Sequence, residues 1–137
     1  MLKYMPDTNI CLFTLKNKPR DLRGIFCRHA SQMCISTVTL MELIYGAEKS
    51  SAPVRNLEVI EGFIARLDVL DYDTTAANHT GQIRAELARQ GTPIGPYDPM
   101  IAGHARSRGL ILVSNNRRGF ERVEGLRLED WMRQSPA

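Results

Sequence analysis

The chain has 137 residues, 43% of them apolar and 24% charged, with a net charge of +3. This length suits one domain, residues 1–137, with a sizeable core, and the composition excludes disordered and fibrous classes. No apolar run approaches the roughly 20 residues that cross a bilayer, and no signal-peptide pattern opens the chain.

The first apolar run, Leu2–Met5, predicts a strand that stops at Pro6 and runs straight into Asp7, Thr8 and Asn9. A helix follows from Thr8 to about Asn17, burying Ile10, Phe13 and Leu15, and "KPRD" closes it. A short helix covers Leu22 to Ala30, and a second strand covers Met33–Ser36. "STVTLMELIYGAEKS" reads as a helix capped by Ser36 or Thr37, with Leu40, Leu43, Ile44 and Ala47 at helical spacing. Its density of apolar residues predicts a largely buried helix. The next helix places Val54, Leu57, Ile60, Ile64 and Leu67 on one stripe, ahead of a strand at Val69–Tyr72.

"TTAANHTGQIRAELARQG" is a helix stopped by Gly91, and "GPYDPMIAGHARSRG" holds another ending near Gly109. Strands at Leu110–Ser114 and, more weakly, Leu126–Leu128 complete the pattern. Short apolar strands alternating with helices indicate an α/β fold with a mainly parallel sheet of about five strands, covered on both faces. The three cysteines, Cys11, Cys27 and Cys34, are odd in number and lack CxxC spacing. They read as buried free thiols in a reducing cytoplasm.

In open parallel sheets the working site lies beyond the C-terminal ends of the strands. Three acids stand near such places. Asp7 ends the first strand, Glu42 lies within the helix after the second, and Asp98 opens the helix before the fourth. Singly, Asp7 and Asp98 read equally well as helix caps and Glu42 as a solvated residue. Together they would repel, and a divalent metal removes the conflict; all-oxygen ligands suit Mg²⁺ or Mn²⁺. His29, His79 and His104 show no zinc-like spacing and read as structural or surface residues. The reaction class implied is metal-dependent phosphodiester hydrolysis. From Arg84 to Arg118 six arginines face two acids, a local balance of +4 that would attract a polyanion.

"YMPDTNI", "TLMELIYGAEKS", "GTPIGPYDPMIAGHARSRGLILVSNN" and "GLRLEDW" together resemble the PIN-domain ribonucleases, and among them the VapC toxins of type II toxin–antitoxin modules. The likeness runs from Met1 to about Trp131. It implies an α/β/α sandwich and a Mg²⁺- or Mn²⁺-dependent endoribonuclease toxin whose acids correspond to Asp7, Glu42 and Asp98. It implies an RNA substrate, notably tRNA cut in the anticodon region and initiator tRNA in enteric-type members, and so inhibition of translation. It further implies a VapB-like antitoxin in an apolar groove of the N-terminal helices, a homodimer, and larger assemblies on operator DNA.

On this reading Asp7 and Asp98 are metal ligands, and Glu42 is a third ligand or orients the attacking water. Thr8 and Asn9, at a helix N-terminus, suit a phosphate or serve as caps. Ser114, Asn115 and Asn116 would bond RNA or the metal's waters, or form a turn. Arg84, Arg89, Arg117 and Arg118 are candidates for phosphate contacts, each also readable as an exposed charge. Pro6 and Gly119 depart from the family pattern, which often has an aliphatic residue and a fourth acid there. They motivate the alternative of a catalytically weakened module that binds antitoxin or RNA. A related nuclease acting on DNA flaps ranks last.

Overall fold

The computed structural model describes residues 1–17 and 20–133. The chain forms β1 (Tyr4–Pro6), α1 (Thr8–Lys16), α2 (Arg20–Arg28), β2 (Cys34–Ser36), α3 (Thr37–Glu48), α4 (Pro53–Ile64) and β3 (Asp68–Leu70). It continues through α5 (Thr74–Arg89), α6 (Asp98–Ser107), β4 (Ile111–Val113), α7 (Arg117–Phe120) and β5 (Arg127–Glu129). All strand pairs are parallel. No helix among the described residues is long and apolar enough to cross a membrane.

The five strands do not form one continuous ladder. A three-stranded sheet runs β1-β4-β5, and β2-β3 form a separate pair. A single bridge, Tyr4 to Met33, joins them. Pro6 stands at the division. Asp7 N–H donates to Val113 O on β4 at 2.9 Å. Strand alternation therefore turns the nitrogen of residue 6 toward the β2 side. Proline has no hydrogen to give there, and pairing with β2 does not extend past Tyr4. The proline thus forfeits no bond to β4.

Alternation along the strands also divides the core. Met5 and Leu112 pack with Ile83, Leu87, Ile101 and Ala105 of α5 and α6. Tyr4, Ile111 and Val113 pack with Ile10, Leu22 and Phe26 of α1 and α2. Ile35 joins Leu43 and Ile60 of α3 and α4 in a third cluster. Each buried Leu, Ile, Val, Phe or Met side chain among these contributes about 1.5–3 kcal/mol.

Three expectations need correction. Helix α3 is not largely buried: Met41, Ile44 and Tyr45 are exposed. Val54 is also exposed, because it lies in the first turn of α4 beyond the reach of its stripe. Cys11 and Cys34 are buried free thiols, but Cys27 is exposed on α2. Burial pushes the Cys34 thiol up to about 12, so it is chemically quiet.

Helix ends follow backbone chemistry. α1 stops on Asn17 in the left-handed region, at φ 54°, whose N–H caps Phe13 O and Thr14 O. Lys18 and Pro19 of the expected "KPRD" stop lie outside the described residues. α5 is followed by Gly91 at φ 72° and α6 by Gly109 at φ 65°, both as the sequence predicts.

Candidate active site

Asp7 is 3% exposed and sits where β1 hands over to α1. Its Oδ1 accepts from Ile10 N at 2.9 Å, so it caps α1. Its Oδ2 accepts from Ser114 Oγ at 2.6 Å. Ser114, fully buried at the end of β4, accepts in turn from Asn116 N at 2.9 Å. A turn after one strand thus grips the acid after another. Burial pushes the Asp7 carboxyl up to about 6; the Ser114 and Ile10 hydrogen bonds oppose the rise, and the charges of Asp98 and Glu42 add to it.

Glu42 lies partly exposed on α3. Thr8 Oγ donates to its Oε1 at 2.5 Å. That bond ties the first residue of α1, beside Asp7, to α3. Buried Thr39 brings its hydroxyl within 3.4 Å of the same Thr8 oxygen. The sequence reading missed Thr39; its only signal was position, three residues before Glu42 on one helical face.

Asp98 is the first residue of α6, with Tyr97 at the N-cap position making no side-chain cap bond and Pro99 next. It is not itself the cap. Burial raises its carboxyl, and the Asn116 side chain works against that rise. Asn116 also caps α7, its Oδ1 accepting from Gly119 N at 3.2 Å. A Cβ on Gly119 would lie 2.7 Å from Asn116 Nδ2. The asparagine amide therefore occupies the space into which a side chain at 119 would begin.

The strand ends thus bring Asp7, Glu42, Asp98, Thr8, Ser114 and Asn116 into one network. Asn9 and Asn115 are exposed beside it. Among the described residues, two acids and no basic group shift the Asp7 carboxyl, and no basic group shifts that of Asp98. Carboxylates without counter-charges in a partly dry setting are the donor set a hard divalent cation satisfies. Among the described residues, no three His, Cys, Asp or Glu side chains are gathered tightly enough to hold a metal as they stand. Each acid is instead tethered by its own hydrogen-bond partner.

The arginines are dispersed. Arg84, Arg89, Arg117 and Arg118 are exposed. Arg89 pairs with Glu86 at 2.8 Å. Arg117 and Arg118 directly follow Asn116 and are the candidates that the chain itself brings nearest the acids. Arg106 is committed elsewhere, bonding His79 Nδ1 at 2.8 Å, Gln82 Oε1 at 2.9 Å and Glu124 O at 2.8 Å.

Away from the acids, a cavity of ≈ 250 Å³ opens between α1, α2 and α4, lined by Leu15, Phe26, Met33, Val59, Phe63 and Leu67 among others.

A PIN domain family model matches residues 4–126. The chain is 72% identical over 131 residues to the tRNA(fMet)-specific endonuclease VapC of Shigella flexneri, covering 96% of this chain and 99% of that protein. It is 54% identical to Ribonuclease VapC2 of Haemophilus influenzae (strain Rd) over 132 residues, covering 96% of this chain and all of that protein. Among solved structures it superposes on DNA-bound VapBC from Salmonella typhimurium with a TM-score of 0.91 at 71% identity, covering 96% of this chain and 99% of that one. VapBC2 from Rickettsia felis bound to a promoter DNA fragment follows with a TM-score of 0.89 at 33% identity, covering 95% and 99%.

Proposed function

The chain belongs to the PIN-domain family, and on that footing we propose that it is a VapC-type endoribonuclease toxin that cleaves tRNA, the initiator tRNA(fMet) above all. The observation that carries this reading is the buried Asp7, with the charges of Glu42 and Asp98 in its field and, among the described residues, no basic group shifting its carboxyl. A non-catalytic module has little use for that arrangement, because burying unpaired carboxylates costs stability.

A divalent cation, Mg²⁺ or Mn²⁺, would be held by Asp7, Asp98 and Glu42. When bound it supplies charge stabilisation to a phosphodiester undergoing attack. The chain's own residues do the remaining work. Ser114 and Ile10 N hold both oxygens of Asp7, fixing the carboxylate plane. Thr8 holds Glu42. The Asn116 amide acts on Asp98. Arg117 and Arg118 would meet the flanking phosphates of the RNA backbone.

The apolar cavity between α1, α2 and α4 suits the apolar face of a VapB-like antitoxin segment. A homodimer, and a larger toxin–antitoxin assembly on operator DNA, complete the proposal. The weakened-module alternative rests on Gly119, which contributes no carboxylate to the site.

Purified protein is incubated with tRNA(fMet) and Mg²⁺ or Mn²⁺, and products are resolved on a denaturing gel. Cleavage is expected, lost on adding EDTA and abolished in Asp7→Ala, Glu42→Ala and Asp98→Ala. Cleavage that persists in Asp7→Ala would sink the reading. No cleavage by the unaltered chain, with antitoxin binding intact, would favour the weakened module.

A further inference from the structure

The helix that carries Asp98 is held from two sides. On one, Gly103 brings α6 so close to α5 that a Cβ would lie 2.7 Å from Thr80 N. On the other, fully buried His104 places Nδ1 2.8 Å from Ser36 Oγ. Ser36 is the last residue of β2 and the N-cap of α3, where its Oγ accepts from Val38 N at 3.1 Å. Glu42 lies on that same helix. One side-chain bond thus connects the carrier of Glu42 to the carrier of Asp98.

The protons in this contact can be assigned. Ser36 Oγ already accepts from the backbone, so its own hydrogen is free to go to Nδ1. His104 is then neutral, with its proton on Nε2. The reverse assignment would leave both the serine hydrogen and the Nε2 lone pair unused. Nε2 is buried and has no hydrogen-bond partner, and the ring packs edge-on to Tyr72 at 5.7 Å. An orphaned buried nitrogen works against stability. An apolar side chain, such as those of Ile101 and Ala105 on the same helix, would fill the space without that cost. It would not supply the bond to Ser36.

We infer that His104 is a positioning residue: its bond to Ser36 sets the placement of Asp98 relative to Glu42 without touching RNA. The inference rests on the nuclease reading of the acid set. It adds a residue outside the acid network to the machinery.

The test uses the full chain. His104→Leu keeps most of the volume and removes the bond. His104→Asn keeps an acceptor where Nδ1 stands. Each is assayed for tRNA cleavage, for Mn²⁺ affinity by calorimetry and for thermal unfolding. His104→Leu is expected to lower kcat by about tenfold or more, with KM changed by less than about twofold, and to weaken Mn²⁺ binding by about tenfold, as loss of support behind a metal ligand does. His104→Asn is expected to recover most of both.

A folded His104→Leu protein with unaltered kcat and Mn²⁺ affinity overturns the inference, and so does failure of a folded His104→Asn to recover. Should His104→Leu not fold, Ser36→Ala deletes the same bond by one hydroxyl, and unaltered values there overturn it equally. An unaltered chain that binds Mn²⁺ but cleaves no RNA removes the nuclease reading alone, and His104 is then judged on Mn²⁺ affinity. A chain that does neither overturns both.

Discussion

At the C-terminal ends of β1 and β4 the protein buries charge, whereas between α1, α2 and α4 it leaves apolar surface open to solvent. Both choices oppose stability. Asp7 is 3% exposed with its carboxyl pushed up to about 6, and Val59 on the cavity rim is 48% exposed. The two regions are held differently. Asp7 and Glu42 are each gripped by a hydrogen bond from another segment of the chain. The cavity wall is built of packed apolar side chains, including the tilted pair Phe26 and Phe63 with ring centroids 5.4 Å apart, and Arg23 of α2 ties it to the Thr14 and Leu15 carbonyls of α1. Directional bonds fix a carboxylate for chemistry; an adaptable apolar wall suits a partner that docks and leaves.

The largest expected effect separates the two regions by pH. The folded state holds a proton on Asp7 more tightly than the unfolded chain does. Its contribution is therefore most favourable below about pH 4, is lost as pH rises toward about 6, and is constant above that. A shift of this size corresponds to about 3 kcal/mol. Urea unfolding of metal-free protein should show Asp7→Asn gaining on the unaltered chain between pH 4 and 6 and holding its lead above. Parallel curves would contradict the assigned burial. Val59→Asn, by contrast, adds no titratable group and should give a pH-independent offset.

Ser114→Ala removes the hydroxyl that donates to Asp7 and accepts from Asn116 N. Single-turnover tRNA cleavage should slow by roughly 10–100-fold, with antitoxin affinity unaltered. Val59→Asp should do the converse, weakening antitoxin binding by about tenfold or more in calorimetry while leaving cleavage in place. If either variant moves both readouts, the two regions are not separable. The smallest effect is Arg89→Ala. The Arg89–Glu86 pair is exposed and spaced i,i+3, so the melting temperature should not change measurably. A fall in cleavage there would extend the RNA-binding face onto α5.

Much of the acid end was legible because it is made at junctions. Asp7, Ser114 and Asp98 stand at the ends of elements whose apolar runs are plain in the chain. The sheet rule then sends those ends to one edge. Exposure was less legible. Met41, Ile44 and Tyr45 have the composition of a buried helix, and composition does not say which face meets a neighbour. The division of the sheet at Pro6 was hidden for a related reason. A missing N–H matters only on the side toward which the strand has already turned it.

The sequence by itself determined the order of the five strands and of helices α1 to α6, though not the short α7, together with the stops at Gly91 and Gly109 and which acids stand near strand ends, because these depend on local pattern and backbone chemistry. Only the tertiary structure decided that Ser114 grips Asp7 and that Thr8 grips Glu42. It alone showed Arg106 spent on His79 and Gln82, and His104 joining α6 to the cap of α3. Those contacts link residues 107, 34, 27 and 68 positions apart. Their energies depend on distances of a few ångströms, which packing fixes and chain position does not.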